Sequence, residues 1–218
     1  MYSILEHYLS TNHILMIGMI VTFILTFFLL EHPFSFLPSD QGRAFAVNGS
    51  LSKGKLRGVG FIFVLCFLIS SVLFLPLDVE YVIYGILLFA MMISGYLDDA
   101  SKTPWNEYKK GLIDLVISVV AVLTYMNFNS TTICFGADEI VIPKALFLIL
   151  GVILIWVSVN VTNCTDGVDG LCASLCSVTL LAFGVLFASV LQKYAMANFL
   201  FLSVLFAYLY FNSSPSSM

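Results

Sequence analysis

Residues 144–163 read KALFLILGVILIWVSVNVTN. The only charge is at the first position, the two asparagines are at the far end, and the stretch between is apolar apart from one serine. About 20 such residues are what an α-helix needs to cross a hydrocarbon core about 30 Å thick. Lipid offers backbone amides no partner, so a spanning segment must bond within its own helix. Working outward, comparable runs occupy residues 13–31, 58–76, 81–97, 111–127, 170–191 and 195–211. The expected fold is an all-α polytopic membrane protein with seven transmembrane helices in one domain spanning 1–218. Composition agrees: of 218 residues 60% are hydrophobic and 10% charged, and the mean hydropathy is +1.02. Soluble domains carry about 25% charged residues, so a disordered chain, a nucleic-acid binder and a water-soluble globule are all excluded.

The first run is not a cleaved leader. Glu6 stands where a basic segment would be needed, and Glu31-His32-Pro33 follows without a small-residue cleavage site. Five cysteines, at 66, 134, 164, 172 and 176, are odd in number and contain no C-x-x-C pair, which points to buried thiols rather than disulfides or zinc ligands.

Charge alternates between the runs. Segment 32–57 holds Arg43, Lys53, Lys55 and Arg57, and segment 98–110 holds Lys102, Lys109 and Lys110. Segments 77–80 and 128–143 carry Asp78, Glu80, Asp138 and Glu139 with no Lys or Arg. The positive-inside rule then puts the two basic loops in the cytoplasm and the N-terminus outside. In the external segment 128–143, apolar and polar residues alternate around Gly136-Ala137-Asp138, which fits a short hairpin or a plain loop.

The spans themselves are nearly free of charge. Asp114, one turn into the fourth, reads as a helix-start carboxylate favoured by the macrodipole. Polar chemistry collects at the cytoplasmic boundary instead. The third run ends in Gly95-Tyr96-Leu97-Asp98-Asp99, and the fifth and sixth are joined by NVTNCTDGVDGL, residues 160–171. Carboxylates 3–4 Å apart repel by about 4–5 kcal/mol at an effective dielectric near 20, so such a group needs a cation, a proton or basic neighbours. Carboxylate oxygens are hard donors suited to Mg²⁺, an ion that keeps several waters and binds substrate phosphates. Asn160, Asn163, Asp166 and Asp169 recur every third residue and so begin on one helix face. Asn160, near the end of an apolar run, is expected to face a polar cleft. Gly167 and Gly170 would let backbone amides meet a phosphate. Lys102, four residues after Asp98, could neutralise the pair or hold a phosphate.

At these residues the sequence resembles the polyprenyl-phosphate glycosyl-1-phosphate transferases of bacterial membranes, and most of all their phospho-N-acetylmuramoyl-pentapeptide transferase branch. GYLDDASK (95–102), KGLIDL (110–115), NVTNCTDGVDGL (160–171) and FNSSP (211–215) carry the resemblance. It implies transfer of phospho-MurNAc-pentapeptide from UDP-MurNAc-pentapeptide to undecaprenyl phosphate, giving lipid I and UMP for peptidoglycan synthesis. It further implies an inner-membrane location with the site on the cytoplasmic face. Asp98 resembles the residue that deprotonates or orients the lipid phosphate; Asp99 supports it, and both match the Mg²⁺ site. Asp169 resembles a uridine contact, while Lys102, Asn160, Asn163 and Asp166 match polar positions around the diphosphate and metal.

The sequence departs from that pattern twice. The run Ser52-Lys53-Gly54-Lys55-Leu56-Arg57-Gly58-Val59-Gly60 replaces the family's Lys-x-Gly-Thr-Pro-Thr-Met-Gly-Gly, leaving Lys53 as the counterpart of its lysine. A further metal-binding aspartate and a His-rich loop of the family would fall beyond Met218, which reads as the N-terminal part of a ten-helix enzyme whose C-terminal part is a partner. A homodimer is left open. Two other readings stand beside this one. A sister enzyme would transfer an N-acetylhexosamine phosphate, and an ion-coupled transporter would keep its charges near the bilayer midplane.

Overall fold

The computed structural model describes residues 1–32, 34–38, 54, 56–101, 103, 105–135, 138–165 and 168–213. Eight α-helices and one strand pair occur among them: α1 Tyr2–Leu5, α2 Thr11–Glu31, α3 Gly60–Phe74, α4 Val79–Ala100, α5 Glu107–Phe128, β1 Thr132–Phe135, β2 Asp138–Val141, α6 Lys144–Thr165, α7 Leu171–Phe187 and α8 Gln192–Asn212. Helices α2, α4, α5, α6 and α8 are long and apolar enough to cross a membrane, whereas α3 and α7 are apolar but shorter. The architecture is that of a mostly helical, multi-pass membrane protein.

Local chemistry sets the helix ends. Ser10, Asp78 and Asn106 each turn a side-chain oxygen onto an N–H of the first turn, of His13, Tyr81 and Tyr108 respectively, which satisfies donors the helix cannot pair internally. Helix α3 stops at Phe74 because Pro76 follows Leu75, and a residue before proline is pushed out of the helical region; Leu75 is extended at φ −100°, ψ 148°. At 15 residues α3 rises about 22 Å, short of the 30 Å core. Helix α7 ends at Phe187, four residues before the end of its apolar run. Helix α1 lies where no element was expected, and Tyr2, Leu5 and Leu9 pack on the cluster of Ile14, Phe74, Leu75, Met196 and Leu200.

Helix α8 is the centre of the bundle, packed by α2, α3 and α7, while α4 joins α3 to α5 and α5 leads to α6. Two apolar clusters mark the ends. The Ile14 cluster sits where α2 and α8 start. The second, Leu30, Leu37, Val59, Ile62 and Cys66 with Tyr96, Tyr208 and Phe211 against it, sits where α2, α4 and α8 finish. The strands pair antiparallel, Thr132 with Val141 and Phe135 with Asp138.

At the first end, polar groups add a lock. Glu80, 5% exposed, accepts from Tyr84 Oη at 3.0 Å and Asn129 Nδ2 at 2.7 Å, with Lys193 Nζ at 3.9 Å. Lys193 also pairs with Asp78. This network joins α4, α5 and α8.

Candidate active site

The end opposite Glu80 gathers the C-termini of α2, α4, α6 and α8 and the N-termini of α3, α5 and α7. Asp98 and Asp99 close α4 there. Successive helical residues diverge by about 100° around the axis, and the two carboxylates accordingly reach different neighbours. Asp98 accepts the Trp105 N–H at 2.9 Å and pairs with Lys110 Nζ at 3.5 Å, both from the start of α5. Asp99 pairs with Arg57 Nη2 at 3.0 Å from the chain entering α3. The expected mutual repulsion is therefore relieved by splay and by one cation for each carboxylate. The cations are Arg57 and Lys110, which were not among the site residues expected from sequence. Lys110 carried a signal, being part of the KGLIDL stretch; nothing in the sequence pairs Arg57 with Asp99.

Rigid surroundings hold this row. Tyr96 donates its hydroxyl to Phe36 O at 2.9 Å, and Arg57 N–H donates to Pro38 O at 2.7 Å. Gly58, at φ +68°, lets the chain turn beside Tyr96; a Cβ there would come 3.3 Å from the ring. Lys109 Nζ lies 3.4 Å from the Trp105 ring centroid.

Helix α4 ends at Ala100, and Ser101 is its extended C-cap. Lys102, like Lys53, Asp166 and Gly167, lies outside the described residues. Asn160 and Asn163 are both on the last turns of α6. Asn160 donates one N–H of its amide to Trp156 O at 2.8 Å within its own helix. Asn163 and Asp169 are exposed at this same end. Gly170 differs from expectation: at φ +75° it caps α7, and its amide donates to Asn212 Oδ1 at 2.8 Å. That amide is engaged by the end of α8 and is not open to a phosphate. Asp114 is 3% exposed rather than a helix-start carboxylate in water, and its Oδ2 has no hydrogen-bond partner among the described residues.

Among the described residues no three His, Cys, Asp or Glu side chains gather into a metal cage. Mg²⁺ does not require one, since it is commonly held by one or two carboxylates with water and substrate phosphate. Asp98 and Asp99, partly open and facing the same end of the bundle, fit that mode.

The family described as glycosyl transferase family 4 matches residues 81–218, which includes both aspartates and the α6–α7 turn. The phospho-N-acetylmuramoyl-pentapeptide-transferase of Treponema pallidum subsp. pallidum is 31% identical over 93% of this chain and 62% of its own length. Its namesake in Dictyoglomus turgidum is 25% identical over 94% of this chain and 68% of its own, and that of Gloeothece citriformis is 28% identical over 51% of this chain and 33% of its own. The chain thus spans about three-fifths of the length of the treponemal relative. With a match over most of its residues, including those that form the carboxylate row, the chain belongs to glycosyl transferase family 4.

Proposed function

We propose that this protein transfers phospho-MurNAc-pentapeptide from its UDP carrier to undecaprenyl phosphate, in the bacterial inner membrane with the site on the cytoplasmic face. The observation that carries the reading is the Asp98–Asp99 pair at one end of an apolar bundle, in a chain 31% identical over 93% of its length to a treponemal protein of that name. A phosphate oxygen of the lipid attacks the phosphorus that bears the sugar. A new P–O bond forms, the P–O bond to the nucleotide breaks, and UMP leaves with the electron pair. Such a transfer needs in-line placement and neutralised charge more than covalent help. Asp98 orients the lipid phosphate and takes up its proton. Asp98 and Asp99 would hold Mg²⁺, which would supply charge neutralisation at the diphosphate, with Lys102 and Lys53 as further cations. Asn160, Asn163, Asp166 and Asp169 surround the donor, with Asp169 on the uridine.

In this reading α3 and α7 are short spans, giving seven crossings, and the basic residues of 32–57 and 98–110 favour this end in the cytoplasm. The four acidic residues of the hairpin and helix starts opposite, Asp78, Glu80, Asp138 and Glu139, then face outward. The deciding experiment is UMP release in detergent by this chain together with its expected C-terminal part, with undecaprenyl phosphate and Mg²⁺, comparing UDP-MurNAc-pentapeptide with UDP-N-acetylglucosamine. Turnover of the first alone supports the reading. Turnover of the second alone moves the protein to the sister activity, and turnover of neither overturns both.

A further inference from the structure

Arg57 is placed to do more than neutralise a carboxylate. Its backbone is fixed, with N–H donated to Pro38 O at 2.7 Å and the tight Gly58 turn behind it. Its side chain is 41% exposed, which leaves open space around the guanidinium, while Asp99 is 30% exposed. Guanidinium binds carboxylate and phosphate with the same planar fork, so one side chain can exchange one for the other without changing its chemistry. Charge conservation says when. Arg57 and Lys110 balance Asp98 and Asp99, so the row is neutral by itself. A divalent cation on the carboxylates would leave two surplus positive charges beside them, which is the charge a bound diphosphate supplies in opposite sign.

We infer that Arg57 is a two-position residue: it covers Asp99 when no divalent cation is present, and it swings onto the phosphate oxygens of the bound substrate when the carboxylate is given over to the cation. This deepens the proposed function and rests on it for the identity of the phosphate ligand. The consequence is a pair of opposed effects. Removing Arg57 takes away a competitor for Asp99 and a ligand for phosphate in the same stroke. A residue with a merely structural role would weaken both bindings together.

The test uses the full chain in detergent. Mn²⁺ binding without nucleotide is read by the loss of free-ion electron paramagnetic resonance signal. Binding of UDP-MurNAc-pentapeptide and of undecaprenyl phosphate is then read separately by calorimetry in saturating Mg²⁺. For Arg57→Gln, Mn²⁺ should bind about 2–5-fold more tightly, the range expected on losing a half-exposed ion pair. One of the two phosphate ligands should bind at least about 10-fold more weakly, as befits a charge-assisted contact, and which one it is identifies the phosphate. Arg57→Lys keeps the charge and should stay within about twofold of the parent for Mn²⁺ while losing part of the phosphate affinity. Weaker Mn²⁺ binding in Arg57→Gln, or unchanged affinity for both phosphate ligands, overturns the inference. If the parent protein binds these ligands but releases no UMP, the proposed function fails while the opposed shifts still decide the role of Arg57.

Discussion

Replacing Asp98 by Asn separates what the carboxylate does for the fold from what it does for chemistry. An Asn carbonyl occupies nearly the same place and can still accept the Trp105 N–H now at 2.9 Å. What is lost is the negative charge and the pair with Lys110 at 3.5 Å, whose partners are 28% and 22% exposed. Partly exposed pairs of this kind contribute about 0–1 kcal/mol, so the variant should melt within about 3 °C of the parent. Under the proposed function the transition state depends on the charge itself, to orient the lipid phosphate and share in holding Mg²⁺. Its loss should lower kcat by at least about 10²-fold, or roughly 2.7 kcal/mol. The assay is UMP release at saturating donor and lipid, run beside thermal unfolding in the same detergent. Near-parental turnover in a normally folded variant would remove Asp98 from the mechanism, and a large fall in melting temperature would show that the ion pair had been undervalued.

Glu80→Ala should destabilise the protein by about 1–2 kcal/mol, or about 2–8 °C, because it removes the acceptor of Tyr84 and Asn129 in a partly buried network while Asn129 keeps Tyr125 O; thermal unfolding measures it. Gly170→Ala forces a Cβ into φ +75° and should cost about 1–2 kcal/mol by the same measurement, with the nearest foreign atom a tolerable 3.6 Å away. Burial, the largest single influence, pushes the Asp78 carboxyl up, but Lys193 and the Tyr81 N–H together outweigh it and hold the group below the usual range. Its small stabilisation, at most about 1 kcal/mol for a half-exposed pair, is therefore intact above about pH 4 and fades as pH falls through the lowered value. Lys193→Met should flatten that acid limb in melting curves. The expected burial of the thiols holds for Cys66 alone; Cys134 on β1 and Cys164 on the last turn of α6 are exposed and can report orientation. In single-cysteine versions on intact spheroplasts, an impermeant maleimide should label Cys134 alone, and labelling of Cys164 would reverse the proposed orientation.

The helices were legible because lipid demands long uncharged runs, and the apolar stretches 81–97, 111–127, 144–163 and 195–211 all fall inside helices of the structure. Their ends were less legible. Proline at 76 shortened α3, and α7 gave way to a turn after Phe187, because local backbone geometry rather than hydropathy decides where a helix stops. The aspartates of the site stood out as charges at span ends. Their partners did not: Arg57 reaches Asp99 across 42 positions of chain and Lys110 reaches Asp98 from the next helix, and such approaches depend on tertiary packing that no local spacing encodes. The same blindness explains Gly170, whose amide was read as a phosphate donor although Asn212, on the last helix, already takes it.

The buried Glu80 network gives α4 a fixed end. Where Tyr84, Asn129 and Lys193 grip it, the helix cannot slide without breaking bonds that water is not there to replace. At its other end Tyr96 holds the helix as well, through Phe36 O and the second apolar cluster, and the two ion pairs beside it are the holds that solvent can compete for. Of the polar holds at the two ends, the less exposed is the one on the far side of the bundle from the carboxylates. From Glu80 to Asp98 the helix runs about 27 Å at 1.5 Å per residue, so a tilt of about 5° carries the carboxylates by roughly 2 Å. Travel on that scale is enough to open or close an ion pair. Adjustments at one surface of the bundle are therefore set by how firmly the opposite surface is clamped.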